Sequence, residues 1–315
     1  MTNDISPGDV IRLEGLDLPP GARFHYIHNG EIRLRAMIAP ANRQEARGSI
    51  IFSPGRTEFI EKYFEFTEDL IERGFAVLIL DPRGQGLSER ILDDPIKSYV
   101  ETFDDYVDDF AFAAKVFKND LPRPHIVAGH SMGGIIALQS ILGGSLNPAA
   151  CVLSAPMLAV HDLDTPIMPY ALKLLSWLGM SKKNLPFQNQ RSGLPVSFKI
   201  NKLTSDPNRY QLWATYFENH KRLRLGPPTY GWICAAMKAM KFVNDNARHL
   251  KIPTLMVAAG ADPIVVPSSI EKFAEEAGAD YLNIPGALHE ILIEQDKYRD
   301  QFWAGFDAFL EKHAL

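Results

Sequence analysis

Cysteine is nearly absent: Cys151 and Cys234 are the only two in 315 residues, each in an apolar setting and without CxxC spacing. That excludes a disulfide framework and a thiolate metal centre, and both are expected to be reduced core residues. Excess charge is lacking too. The net charge is −5, from 33 basic and 38 acidic residues, with no basic tail or stripe, which argues against nucleic acid as a partner. No apolar stretch approaches the roughly 18 residues that span a bilayer. The segment from Met1 to Asp9 is polar and acidic, with no basic stretch leading into an apolar one, so no secretory signal is expected. A soluble, cytoplasmic protein follows, with attachment to a membrane face left open. Nucleotide fingerprints are missing as well. No Gly-x-Gly-x-x-Gly opens a helix, no Gly-Lys-Ser/Thr loop occurs, and Gly84-Gln85-Gly86 reads as a turn, so no nucleotide cofactor is expected. His25 and His28 fall in a predicted strand, and His161, Asp162 and Asp164 have no partner run, so no metal is expected.

What the chain does have is a succession of short apolar strands separated by helical patterns. Residues 1–20 read as a lead-in. Residues 24–27 and 32–38, joined through Asn29-Gly30, read as a hairpin, because Asn-Gly suits a primed two-residue turn. Arg33 and Arg35 alternate with Ile32, Leu34 and Ala36, which gives this pair one wet face and places it at a sheet edge. Further strands are expected at 48–53, 75–80, 125–127, 150–154, 254–259 and 281–284, and helices at 58–73, 103–119, 268–277 and 298–312. Phe59, Tyr63, Phe66, Leu70 and Ile71 make the buried stripe of the first helix. Between residues 157 and 245 the texture changes to Pro, Trp, Met and Tyr, with helical pieces at 170–178, 208–219 and 232–244. The expected architecture is α/β: a mostly parallel central sheet flanked by helices, with core 1–156 and 246–315 and a helical cap (lid) inserted at 157–245.

One turn stands apart. The run His125-Ile126-Val127 enters Ala128-Gly129-His130-Ser131-Met132-Gly133-Gly134, and an apolar helical run follows. Gly129 and Gly133 flank Ser131 two residues to either side, the spacing of a nucleophile elbow. A strand and a helix pass this close only where those neighbours lack side chains. The turn places Ser131 at a helix N-terminus, where free amides and the helix dipole face developing negative charge. In such a sheet, active residues belong beyond the carboxyl ends of strands. Asp262 and His289 both lie there, in the order nucleophile, acid, base. A neutral imidazole must take the serine proton, so His289 is the expected general base. Asp262 would fix its tautomer and stabilise the imidazolium. The backbone N–H groups of Arg56 and Met132 are the expected oxyanion donors. Asp81 is expected to hold the turn it begins, tying Arg83-Gly84 down, and the His130 side chain to point away from the nucleophile.

Five stretches carry a family likeness: Ser53-Pro54-Gly55-Arg56-Thr57-Glu58, Asp81-Pro82-Arg83-Gly84-Gln85-Gly86-Leu87-Ser88, Gly129-His130-Ser131-Met132-Gly133-Gly134, Gly260-Ala261-Asp262-Pro263-Ile264-Val265 and Gly286-Ala287-Leu288-His289-Glu290. Together they resemble the α/β-hydrolase family, and more closely its monoacylglycerol lipase and lysophospholipase L2 branch, also grouped with serine aminopeptidases. They lie on both sides of the insertion, so the resemblance spans nearly the whole chain. One departure is Pro54-Gly55, where relatives often have His-Gly. The backbone donor survives it, and the Pro-Gly-Arg-x-Glu version is similar to lysophospholipase-like relatives. The resemblance also implies that the cap covers an acyl pocket. Met157, Leu158, Ile167, Met168, Leu172, Leu175, Trp177, Leu178, Trp213, Tyr216, Phe217, Trp232 and Met237 are the candidates for its lining or for packing the cap on the sheet. Lys173, Lys182, Lys183, Lys199, Lys202, Arg209, Lys221, Arg222 and Arg224 make the cap basic, which suits phosphate headgroups or an anionic membrane face, or an ordinary solvated surface.

The expected function is hydrolysis of carboxylic esters of single-chain lipids, lysophospholipid or monoacylglycerol, through an acyl-enzyme. The alternatives are a short-chain carboxylesterase and a proline-iminopeptidase-like serine aminopeptidase. The latter needs a Glu or Asp pair converging on the acyl side, for which Glu58 and Glu290 are the candidates. From another class comes a non-catalytic binding protein on a hydrolase scaffold.

Overall fold

A computed structural model of the chain describes residues 5–42, 45–161, 179–184 and 193–315. Its strands are β1 (Ile5–Pro7), β2 (Arg23–Asn29), β3 (Ile32–Ala39), β4 (Gly48–Ser53), β5 (Phe75–Leu80), β6 (His125–His130), β7 (Ala150–Ser154), β8 (Thr254–Ala259) and β9 (Asp280–Ile284). The described helices are α1 (Phe64–Glu72), α2 (Asp104–Val116), α3 (Met132–Leu142), α4 (Pro207–Asn219), α5 (Tyr230–Asp245), α6 (Pro267–Ala277) and α7 (Asp296–Lys312). All nine strands form one sheet in the order β1-β2-β3-β5-β4-β6-β7-β8-β9. The pairs from β1 through β3 to β5 are antiparallel, and every pair from β5 to β9 is parallel.

The continuous apolar runs of the parallel strands follow from burial on both faces. Successive side chains point to opposite sides of a sheet. Ile51, Leu78, Val127, Leu153 and Met256 accordingly share one core with α2, α3, α5 and α6. Their neighbours Ile50, Phe52, Val77, Ile126 and Val257 share the other with α1 and α7. Between β7 and β8 lies the inserted, mainly helical region containing α4 and α5, in the manner of a cap. Trp213, Tyr216 and Phe217 of α4 pack with Phe59 and Leu87 in a separate cluster. Met157, Leu158, Trp232 and Met237 instead join the main core. These members of the cap's apolar set thus pack the insertion onto the sheet. Ile167, Met168, Leu172, Leu175, Trp177, Leu178, Lys173 and the helix expected at 170–178 lie outside the described residues.

The structure departs from the expectations at its first strands. The lead-in contributes β1, which pairs with β2, so the hairpin is not the outermost pair. Arg35, expected on a wet face, is fully buried. Its Nε donates to Asp81 Oδ2 at 2.8 Å, and Nη1 and Nη2 donate to the Glu61 carboxylate at 2.7 Å each. The alternation was that of a solvated strand, but two carboxylates from outside it compensate the charge, which is what burial of an arginine requires. Asp81 also accepts from the Leu87 amide at 2.7 Å and the Ile60 amide at 2.9 Å. It holds its turn through Leu87 rather than through Arg83, whose guanidinium pairs with Asp105 and Asp109 on α2. The helix expected from residue 58 begins instead with a tight 3-10 turn, Ile60–Tyr63, before α1.

Arg35→Ala would leave Glu61 and Asp81 facing each other in a dry interior. Removing one partner of a buried ion pair costs about 3–5 kcal/mol, so the urea midpoint should fall steeply. A midpoint within error of the wild type would contradict this account of the network.

Candidate active site

The sheet puts its functional side chains where three strands end. Gly129 of β6 lies opposite Ser53 of β4, and His130 opposite Ser154 of β7. Ser131 therefore leaves the middle of the sheet and caps α3, at φ 52 and ψ −116. Asp262 follows β8 and His289 follows β9. Their loops are laced together, since the Gly260 amide donates to Ile284 O and the Ala261 amide to Ala287 O, each at 2.9 Å.

The three expected side chains meet. His289 Nε2 lies 2.9 Å from Ser131 Oγ, and His289 Nδ1 lies 2.6 Å from Asp262 Oδ2. The other carboxylate oxygen, Asp262 Oδ1, accepts the Ile264 and Val265 amides at 2.8 and 3.0 Å. The carboxylate is thus fixed by main chain on one side and by the imidazole on the other. All three residues are buried. Met132 is the first residue of α3, whose leading amides have no partner within the helix. Arg56 lies just past the end of β4, in a loop where Thr57 adopts φ 64.

That loop rests on buried polar side chains, among them Gln85, Tyr63 and Lys62, which carry no functional signal in the sequence. The Gly55 amide donates to Glu58 Oε2, and Gln85 Nε2 donates to Gly55 O at 2.7 Å. Glu58 Oε2 also accepts the Tyr63 hydroxyl. Lys62 Nζ bridges two buried carboxylates, Glu58 at 2.9 Å and Glu290, the neighbour of His289, at 2.5 Å. Burial alone would raise the Glu58 pKa, but Lys62, His130 and the Tyr63 hydroxyl outweigh it and bring it down to about 2. The carboxylates of Glu58 and Glu290 and the His130 ring also converge as a possible metal-ligand set. The ammonium of Lys62 already sits between those carboxylates, so the set has the chemistry of an ion-pair bridge rather than of a vacant ligand cage. The i,i+4 spacing of Glu58 and Lys62 was visible in sequence, whereas their meeting with Glu290 depends on the fold.

His130 lies beside His289, with ring centroids 4.9 Å apart and the rings tilted by 54°. Its Nδ1 donates to Ser154 O at 3.1 Å, and burial pushes its pKa down to about 4, so it stays neutral near pH 7. It faces Ser154 and Glu58 rather than the serine hydroxyl.

The family described as serine aminopeptidase, S33, matches residues 44–296. The chain belongs to this family of α/β-hydrolases. Lysophospholipase L2 of Escherichia coli (strain K12) is 32% identical over 278 residues, covering 84% of this chain and 80% of that protein. A probable lysophospholipase L2 of Haemophilus influenzae is 28% identical over 90% of this chain and 89% of its own length. Among solved structures, a soluble variant of monoglyceride lipase from Saccharomyces cerevisiae superposes with a TM-score of 0.70 at 18% identity, covering 93% of this chain and 96% of that one. That likeness shows the shared hydrolase fold.

In this hydrolase the depressed Glu58 pKa makes a stability prediction. The folded value lies below the ordinary 4.5, so unfolding takes up a proton as the pH falls. The contribution is complete above about pH 4.5 and is lost on the way down to about pH 2. Lys62→Met withdraws the charge that holds Glu58 ionised, so the acid limb of the urea midpoint against pH should begin at higher pH. A profile parallel to the wild type would contradict it.

Proposed function

We propose that this chain hydrolyses carboxylic esters of single-chain lipids, lysophospholipids or monoacylglycerols, through an acyl-enzyme on Ser131. The observation that carries this reading is the unbroken chain from Ser131 Oγ through His289 to Asp262 Oδ2. In the proposed cycle His289 takes the serine proton as Oγ attacks the ester carbonyl. Asp262 keeps the imidazole in the tautomer that presents a bare Nε2, and it stabilises the imidazolium once formed. The Arg56 and Met132 amides receive the oxyanion, the second with the help of the α3 dipole. His289 then protonates the leaving alcohol and activates the water that releases the fatty acid. No cofactor or metal enters this chemistry. The insertion at 157–245 acts as the lid over the acyl chain.

The names of the Escherichia coli and Haemophilus influenzae relatives support a lysophospholipid substrate. The Glu58 and Glu290 pair supports ester over peptide cleavage. An exopeptidase must meet a free substrate amine with carboxylates that are open to it, and here the Lys62 ammonium already occupies the space between the two. No described helix is long and apolar enough to cross a membrane. We place the enzyme in the cytoplasm, drawing its substrate from the inner membrane face.

A fluorophosphonate should label the wild type stoichiometrically and leave Ser131→Ala unlabelled. Ser131→Ala and His289→Ala should each lose about 10³-fold or more in turnover, with Asp262→Asn also severely impaired. Beside p-nitrophenyl esters and aminoacyl anilides, lysophosphatidylcholine and monoacylglycerol should be the favoured substrates. Turnover of anilides without turnover of either lipid would overturn the assignment.

A further inference from the structure

Buried cations in this protein are generally matched by carboxylates. Arg35 has Glu61 and Asp81, Lys62 has Glu58 and Glu290, and Arg299 has Glu65 and Asp69. Arg56 is half-buried, and among the described residues no carboxylate pairs with it. Its Nη1 donates to Gly226 O at 3.0 Å, and its guanidinium carbon lies 5.7 Å from the centre of the Trp232 ring. The ionisable group that acts on its charge is Tyr106, a phenol that itself accepts from Trp232 Nε1 at 3.3 Å. Burial without a counter-charge pushes the Arg56 pKa down to about 10, so it remains a cation at neutral pH. A guanidinium has five N–H donors in a planar fork, and most of this one's remain unclaimed by the described residues.

Its position gives the unmet charge a meaning. The side chain belongs to the same residue whose amide is the proposed oxyanion donor, and its guanidinium lies against Trp232 of α5 and the carbonyl of Gly226. Gly226, its acceptor, donates through its own amide to Ile96 O at 2.7 Å. Ile96 lines an open groove of about 690 Å³ together with Arg90, Lys221 and Arg224. None of those three cations is paired with a described carboxylate, since Arg90 donates only to the carbonyls of Gly84, Gly86 and Arg222, and Arg224 to those of Phe217 and Glu218. The groove also carries Arg33 and Arg222 against the carboxylates of Glu31 and Glu89, so cations outnumber acids along it and it would draw anions toward the segment that holds Arg56.

We propose that the Arg56 guanidinium receives the phosphodiester of a lysophospholipid bound with its ester carbonyl at Ser131, and so sets the preference of this site for phosphate-bearing over neutral single-chain esters. The inference rests on the lipid-ester reading above and names the residue that chooses among those lipids. Arginine suits the task because its fork binds two phosphate oxygens at once, and the ligand supplies the charge the protein leaves out.

The test is binding, read independently of lipid cleavage. Two non-hydrolysable ethers with the same alkyl chain, an octylglycerophosphocholine and an octylglycerol, compete against hydrolysis of p-nitrophenyl acetate below their micellar range. In Arg56→Met the inhibition constant of the phosphocholine ether, divided by that of the neutral ether, should rise about tenfold, the scale of a lost charge-assisted contact. Arg56→Lys should recover part of that ratio. A side chain that merely shapes the loop would weaken both ethers alike, and an unchanged ratio overturns the proposal. Inorganic phosphate competing as strongly as the phosphocholine ether would identify a site for the free anion and also overturn it. A wild type that binds the phosphocholine ether preferentially through Arg56, yet cleaves no lysophospholipid, would leave this proposal standing and contradict the substrate reading.

Discussion

At φ 52 and ψ −116, Ser131 sits where a side chain crowds its own backbone, a conformation that costs on the order of 1–3 kcal/mol. Its surroundings hold it there. The Ser131 amide donates to Ser154 O at 3.1 Å, and its carbonyl accepts the Gly134 and Met157 amides at 3.0 Å each. The close approach on either side is available only to glycine. A Cβ on Gly133 would come within 1.8 Å of Ser53 O, and one on Gly129 within 2.5 Å of Gly133 O. The same contact presses the start of α3 against the end of β4. One steric constraint thus exposes the hydroxyl and brings together the two segments proposed to supply oxyanion donors.

Around this turn the protein places charge where hydrophobic packing would ordinarily be found. The short segment from Glu58 to Tyr63 supplies members of two buried networks. Glu61 meets Arg35 and Asp81 on the antiparallel side of the sheet. Glu58 and Lys62 meet Glu290 on the side of the His289 loop. The Ile60 amide is taken by Asp81, and the segment forms a 3-10 turn rather than the start of a longer helix. The inserted region closes over this arrangement, with the Trp213 ring 5.3 Å from the Lys62 ammonium. Buried ion pairs add little stability beyond what apolar residues of the same volume would supply, but they tolerate one geometry only. Here that geometry fixes the loops carrying Arg56 and His289 relative to each other.

The parts legible in sequence were those governed by local rules. The elbow followed from glycine spacing around Ser131, and the parallel strands from unbroken apolar runs. Asp262 and His289 were found because strand ends can be counted once the strands are known. Arg35 was misplaced because an alternating pattern looks the same whether the polar residue meets water or a buried carboxylate, and its partners lie in the turn just past β5 and in the Glu58–Tyr63 segment. β1 was missed because three residues, Ile5–Pro7, have too little pattern of their own and pair only because β2 offers an open edge. Glu58 and Glu290 stand out in sequence only as candidates for an amine-binding pair, and the Lys62 bridge between them has no signal until the fold brings positions 58 and 290 together.

The central claim is that Ser131, His289 and two backbone amides form one acyl-transfer centre. It is tested most directly by a crystal structure of the enzyme after reaction with a fluorophosphonate. The account predicts phosphorus bonded to Ser131 Oγ, with its phosphoryl oxygen within hydrogen-bond reach of the Arg56 and Met132 amides and the His289 imidazole still on Asp262. An adduct on another residue, or a phosphoryl oxygen turned away from both amides, would contradict it.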